Sequence, residues 1–274
     1  MKDGHIHSPY CPHGTKDDFE EYIINAIAAG FTEISFTEHL PLPAGFKDPS
    51  PTNDSAMDLE LFEKYIDDVN EMKIKYKDEI KINVGTEIDY IEGYEYEIRG
   101  LLNKYGNQID DSILSVHMIK VGTGYRCIDY SAEEFGDISD SLGGVNKVYD
   151  KYYETVKKAL LANLGIYKPC RIGHLNLVRK FNKCYPYDYS NNETLNEILK
   201  IIKDNGYELD YNVAGLRVKT CKEAYIAGEL LDRVKELGIP MVLGSDSHSA
   251  KFVKNYELWM LNWGKNSSKR WILN

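Results

Sequence analysis

Seven histidines are spread along this chain of 274 residues. His5 and His7 lie two apart in Asp3-Gly4-His5-Ile6-His7. On a strand, alternate residues share a face, so this pair can chelate one ion. Taken alone, it reads equally as a chance pair on a half-exposed strand. Asp3, one alternate position further back, would point the same way and could orient a ligand histidine. The remaining histidines shift the balance, because each falls where a strand-like run gives way to a loop. His39 follows Ser35-Phe36-Thr37-Glu38, His117 follows Leu114-Ser115-Val116, and His174 follows Arg171-Ile172-Gly173. His248 follows Gly244-Ser245-Asp246-Ser247, and His13 lies just past the first strand. One shared site accounts for these positions more simply than repeated coincidence.

Two carboxylates have the same address. Glu87 ends the run through Val84-Gly85-Thr86, and Asp246 ends the run through Val242-Leu243-Gly244. By itself Glu87 could be a surface carboxylate and Asp246 a helix N-cap. Together with the imidazoles they make a set able to hold more than one ion, because a carboxylate bridges cations and offsets their charge. Mixed nitrogen and oxygen ligation favours zinc, iron or manganese over magnesium. Cys11, between His7 and His13, is read as a partly buried thiol, since imidazoles already fill the set.

These residues need elements that bring them to one place. Strand-like runs occur at Asp3–His7, Glu33–Phe36, Ile80–Val84, Ile113–Val116, Cys170–His174, Glu208–Asn212 and Met241–Leu243. Apolar spacing of three to four residues predicts helices over 16–29, 58–77, 94–105, 145–164, 191–204, 221–237 and 251–262, with Gly30, Gly206 and Gly238 as stops. Seven strands alternating with helices imply a parallel sheet with crossover helices. Closed on itself, the sheet is a (β/α)7 barrel of TIM-like type, with the histidines at the C-terminal ends of its strands, where catalytic groups converge. Pro41–Met57, Lys120–Tyr130 and Asn182–Ser190 read as loops, and Tyr149, Tyr152 and Tyr153 as a packed helix face. The alternation keeps one style throughout, so a single domain over 1–274 is expected.

Composition narrows the partners. A net charge of −10 without a basic run argues against nucleic acid. No apolar run approaches the ~20 residues needed to cross a bilayer, and the N-terminus lacks a secretory core, so a cytoplasmic protein with no membrane partner is expected. Five widely spaced cysteines without a C-x-x-C pair fit reduced thiols. Oligomeric state leaves no mark in the sequence.

The order and spacing of these pieces resemble the PHP (polymerase and histidinol phosphatase) superfamily, specifically its monofunctional histidinol-phosphate phosphatase branch. The likeness rests on Asp3-Gly4-His5-Ile6-His7-Ser8, Phe36-Thr37-Glu38-His39-Leu40-Pro41, Gly85-Thr86-Glu87-Ile88-Asp89-Tyr90, Ser115-Val116-His117, Ile172-Gly173-His174, Asn212-Val213-Ala214-Gly215-Leu216-Arg217 and Gly244-Ser245-Asp246-Ser247-His248. The resemblance implies a distorted seven-stranded barrel and a trinuclear divalent metal centre. One ion would be held by His5, His7, Glu87 and Asp246, a second by bridging Glu87 with His117 and His174, and a third by His13, His39 and His248. It also implies phosphate recognition by Arg179 and Arg217.

The implied reaction is hydrolysis of L-histidinol phosphate to L-histidinol and phosphate, a step of histidine biosynthesis, by attack of a metal-bridging hydroxide without a phospho-enzyme. Asp246 and His248 are candidates for the acid that protonates the leaving alcohol. Within the superfamily the rivals are tyrosine phosphatases, nucleotide phosphoesterases and polymerase-linked nucleases. The end of the chain shortly after its last predicted helix disfavours the polymerase context, and the Pro41–Met57 segment and the Arg217 motif favour the histidinol-phosphate branch. Outside it, the rival is a metal-binding module without turnover.

Overall fold

The computed structural model describes residues 1–253. Seven parallel strands form one sheet: β1 (Lys2–Ile6), β2 (Glu33–His39), β3 (Lys81–Asp89), β4 (Asp111–Ser115), β7 (Arg171–Ile172), β8 (Glu208–Asn212) and β9 (Met241–Gly244), in that spatial order. Most of β1, β2 and β3 is buried on both faces, as expected of a parallel sheet covered by helices. Just past the ends of β1 and β9 the barrel nearly closes. Asp246 N–H donates to the His5 carbonyl at 2.7 Å and His7 N–H to the Ser247 carbonyl at 3.1 Å. The expected barrel is therefore present.

Helices α1 (Phe19–Ala28), α2 (Leu59–Lys75), α3 (Glu95–Tyr105), α4 (Ala132–Leu142), α5 (Val145–Leu161), α6 (Glu193–Asp204) and α7 (Gly228–Glu236) cover the sheet, and a short turn of helix, α8 (Ala250–Val253), follows β9. Asp18, Ser131 and Asn192 start α1, α4 and α6 by accepting a backbone N–H with their side chains. Gly30, Gly206 and Gly238 take positive φ just beyond α1, α6 and α7, as the sequence predicts. One apolar core links these layers. Tyr149, Tyr152 and Tyr153 of α5 are buried in it, as expected. Tyr65 of α2 donates across β2 and β3, to the Phe36 carbonyl at 2.7 Å and the Gly85 carbonyl at 2.8 Å.

Three departures are instructive. The stretch expected as a loop over Lys120–Tyr130 is largely taken up by an antiparallel hairpin, β5 (Met118–Val121) and β6 (Gly124–Cys127), turning at Gly122 with φ +60°. Its four-residue strands are too short to show a period. Helix α4 lies where no helix was expected. The helix expected over 221–237 begins only at Gly228, because Lys222 adopts φ +66° and Cys221–Ala227 form a loop. Pro41–Met57 is irregular as predicted and held by its own acids: the Asp48 carboxylate accepts Ser50 N–H at 2.8 Å and Ser55 N–H at 3.0 Å. Of the helix expected over 251–262, all beyond Val253 lies outside the described residues.

Candidate metal centre

Each strand of the barrel ends by delivering a polar side chain to the same bowl. β1 supplies His5 and, one residue past its end, His7; β2 ends on His39; β3 carries Glu87 and Asp89. His117, His174 and Asp246 each lie two residues beyond β4, β7 and β9. The backbone is shaped for close approach. A Cβ at Gly173 would collide with Ser115 Oγ, and one at Gly244 with the Asp210 carboxylate, so both strands must pass the site as glycine. Asp246 itself sits at φ +51°, a left-handed conformation that Asp tolerates better than most residues.

Glu87 lies at the centre, and its two oxygens face different imidazoles. Oε2 is 3.3 Å from His5 Nε2, 3.5 Å from His7 Nε2 and 3.4 Å from His39 Nδ1. Oε1 is 2.9 Å from His174 Nε2 and 3.7 Å from His117 Nε2, and accepts Ser115 Oγ at 2.6 Å. Asp246 Oδ1 stands 3.3 Å from His7 Nε2, 3.8 Å from His5 Nε2 and 3.5 Å from His248 Nδ1. His13 Nε2 lies 3.1 Å from His248 Nε2. All seven histidines and both acids singled out in the sequence thus meet in one place.

The far sides of the rings are held by acceptors. Asp210 meets His5 Nδ1 at 2.8 Å, Glu38 meets His7 Nδ1 at 3.2 Å, and Asp89 meets His117 Nδ1 at 2.6 Å. The Asp54 carbonyl holds His13 Nδ1 at 2.7 Å, and the Asp246 carbonyl holds His248 Nδ1 at 3.2 Å. Carboxylate or carbonyl behind, free nitrogen in front, is how proteins fix the tautomer of a ligand histidine. Glu38, Asp89 and Asp210 escaped notice in the sequence. Their only signal there is proximity to a picked residue: Glu38 precedes His39, Asp89 follows Glu87 by two, and Asp210 lies two before Asn212. Asp3, expected to orient a histidine ring, instead accepts backbone N–H groups of His5 and Ser245 and ties β1 to the end of β9.

Does this donor set fit metal ions? His7 Nε2 and His39 Nδ1 are buried without a hydrogen-bond partner, although buried polar groups are almost always paired. Separations of 3.3–3.5 Å between His5, His7 or His39 nitrogens and Glu87 Oε2 are long for charged hydrogen bonds. They approach the edge of about 3.4 Å that a tetrahedron has when its ligands lie ~2.0–2.1 Å from the ion. Among the described residues, groups with ligand atoms within 4.8 Å of one another are His5, His7 and Glu87; Glu87, His117 and His174; His39, Asp89 and His117; and His7, Cys11, His39 and His248. The residues fit metal. Cys11 is fully buried rather than partly so, and its sulfur belongs to the last group.

Charge follows the same plan. Burial opposes ionisation of Glu87, but the His5, His117 and His174 imidazoles hold its carboxyl well below the usual range. Burial would also lower His117, yet Asp89 and Glu87 outweigh it and raise it to about 10. His39, buried and beside His7, is pushed well below an ordinary imidazole.

The bowl opens into a cavity of about 500 Å³, lined by His13, His39, Glu87, His117, His174, Asp246 and His248 and also by Asp129, Tyr130, Lys180 and Arg217. Arg217 Nη2 is fixed by the carbonyls of Ser245 at 2.7 Å and Asp246 at 3.0 Å, while Nη1 is buried without a partner. Arg179 is placed differently. Its guanidinium is taken up by the Glu223 carboxylate and the Tyr187 carbonyl, and it does not line the cavity; its neighbour Lys180 does. Nothing in the sequence separates Lys180 from its neighbour Arg179, because both are cations in the same 3-10 turn, Leu177–Phe181.

Comparison with known proteins agrees with this construction. The PHP domain model matches residues 3–214. A histidinol-phosphatase of Bacillus subtilis is 42% identical over 251 residues, covering 91% of this chain and 94% of the relative. A Listeria monocytogenes crystal structure assigned as a histidinol phosphatase superimposes with a TM-score of 0.90 at 37% identity, covering 94% of this chain and all of that one. The histidinol phosphate phosphatase of Lactococcus lactis, crystallised with zinc, L-histidinol and phosphate, superimposes with a TM-score of 0.65 at 25% identity over 97% of this chain and 93% of that one. With a family match running from the first strand past the eighth, the chain belongs to the PHP domain family, in its histidinol-phosphatase branch.

Proposed function

We infer that the chain is a metal-dependent histidinol-phosphatase, hydrolysing L-histidinol phosphate to L-histidinol and phosphate. The observation that carries this reading is the split environment of Glu87, with His5, His7 and His39 on one oxygen and His117 and His174 on the other, in a chain 42% identical to a histidinol-phosphatase. It supports a trinuclear centre with Glu87 as bridge. His5, His7, Glu87 and Asp246 would hold one ion, Glu87, His117 and His174 a second, and His13, His39 and His248 a third. Zinc suits this donor set and accompanies the Lactococcus relative; iron and manganese suit it equally. Bound cations supply a water of lowered pKa and neutralise phosphoryl oxygens.

The chain's own residues do the rest. Arg217, braced through Nη2, keeps Nη1 free to donate to a phosphoryl oxygen. We assign the second phosphate cation to Lys180 and give Arg179 the task of positioning the Tyr187 loop and Glu223. We assign protonation of the leaving alcohol to Asp246 and His248, which both line the cavity with Oδ1 and Nδ1 3.5 Å apart. The catalytic unit is proposed as one domain over 1–274. We also propose a cytoplasmic setting, which the five free cysteines suit.

The rival tyrosine-phosphatase activity is separated by kcat/KM on histidinol phosphate and on a phosphotyrosine peptide. The expected preference is for histidinol phosphate by several orders of magnitude. Equal or reversed preference would reject the assignment.

A further inference from the structure

The cavity also carries an ion pair whose carboxylate has no part in the hydrolytic machinery described so far. Lys180 Nζ lies 2.9 Å from Asp129 Oδ2, and the Cys127 thiol donates to Asp129 Oδ1 at 3.2 Å. Both charged side chains line the cavity and both are largely withdrawn from solvent. Neither is placed by accident. Asp129 follows β6, and the neighbouring Ile128 N–H donates to the His117 carbonyl at 3.0 Å. Lys180 rides the 3-10 turn that starts where Leu177 N–H donates to the His174 carbonyl at 2.8 Å, and Thr220 Oγ1 anchors the Lys180 carbonyl at 2.9 Å. The pair is thus tethered through backbone to His117 and His174, the two imidazoles on Glu87 Oε1.

A phosphate entering this cavity competes with Asp129 for the Lys180 ammonium. If Lys180 turned to the phosphate alone, it would leave a carboxylate part-buried and unpaired, which is costly. An ester that carries its own ammonium a few bonds from the phosphate removes that cost, because the two ion pairs can exchange. We propose that Asp129 is the specificity-determining residue that receives the substrate's amine as Lys180 passes to the phosphate, so that the pair selects amine-bearing phosphate monoesters over neutral ones. This deepens the histidinol-phosphatase reading and rests on it. It also gives the hairpin β5–β6 a role: it delivers Asp129. Selection works by penalty as much as by attraction, since an amine-free ester strands Asp129.

The test pairs one substitution with one change of substrate. At about pH 7.5, where an ordinary imidazole is mostly neutral, kcat/KM is measured on the metal-loaded protein and its Asp129→Asn variant with histidinol phosphate and with imidazolylpropyl phosphate, which lacks the amine. In the unsubstituted protein, loss of the amine should lower kcat/KM by about ten- to hundredfold, the range for a hydrogen bond to a charged group. In Asp129→Asn the two substrates should converge. An amine effect of equal size in both proteins overturns the proposal, and so does none in the unsubstituted protein, a comparison that needs no variant to fold. Lys180→Met should lower kcat/KM on both substrates, and an unchanged value would remove Lys180 from the exchange. Failure of the unsubstituted protein to release phosphate from histidinol phosphate would instead strike the functional reading itself.

Discussion

Around Glu87 the division of labour is between atoms that face the cavity and atoms that hold them in place. Asp210 shows the second role: its Oδ2 meets His5 Nδ1 at 2.8 Å and also accepts Asn212 Nδ2 at 2.9 Å. Asp210→Asn keeps the shape but removes the charge that fixes the imidazole tautomer. It should weaken metal affinity by about ten- to hundredfold while leaving the fold intact. Titration against a chromophoric chelator measures this, and an unchanged affinity would show that His5 needs no such partner. Seven histidines, Glu87 and Asp246 could be picked from the sequence because ligand chemistry favours few residue types and strand ends gave them a common address. Glu38, Asp89 and Asp210 could not, because a carboxylate behind a ring is specified by a ring contact across the barrel, in Asp210's case 205 residues away. Arg179 and Lys180 show the same limit, since which of two adjacent cations enters the cavity depends on the Glu223 partner.

At the opposite end of the strands, the barrel is closed by charge. Asp111 of β4 meets Arg171 of β7 at 2.9 Å and Lys2 of β1 at 2.8 Å, and accepts Ser35 Oγ of β2 at 2.6 Å. Arg171, 3% exposed, also donates to the Gly4 carbonyl at 2.9 Å. Burial resists ionisation of Asp111, but Arg171 and Lys2 hold its carboxyl below the usual value. A depressed carboxyl contributes stability that is complete above its unfolded pKa of ~3.9 and is lost as pH falls through the folded value. Asp111→Asn leaves Arg171 buried without its anion and should cost about 3 kcal/mol at neutral pH. The difference from the unsubstituted protein should shrink as pH falls below about 4 and through the depressed folded-state value. Urea midpoints against pH check both; a constant difference would mean that Asp111 acts through packing and not charge. The seven barrel strands were readable because apolar β-branched runs between helices have few other homes. The hairpin, α4 and the late start of α7 were not: they depend on short pairings and on a single positive-φ residue, Lys222, that composition does not announce.

For the molecule as a whole, cations and fold should be coupled. Strands β1, β2, β3, β4, β7 and β9 each carry or lead into proposed ligands, so ions bound there fasten nearly the full circumference of the barrel. An ion present at a hundred times its dissociation constant adds about 2.7 kcal/mol. For a domain of this size that corresponds to a rise in Tm of roughly 5–10 °C on reloading the stripped protein, measurable by calorimetry; no rise would mean that the site binds no ion preferentially in the folded state. The imidazole and carboxylate cluster should work as a metal-dependent phosphatase centre on histidinol phosphate. It is tested most directly by counting metals and following phosphate release from that substrate in one preparation, before chelation, after it, and after zinc, iron or manganese is restored. The expected result is turnover that disappears with the metal and returns in proportion to the ions regained. Undiminished phosphate release from fully stripped protein, or a metal-loaded protein without turnover, would contradict the account.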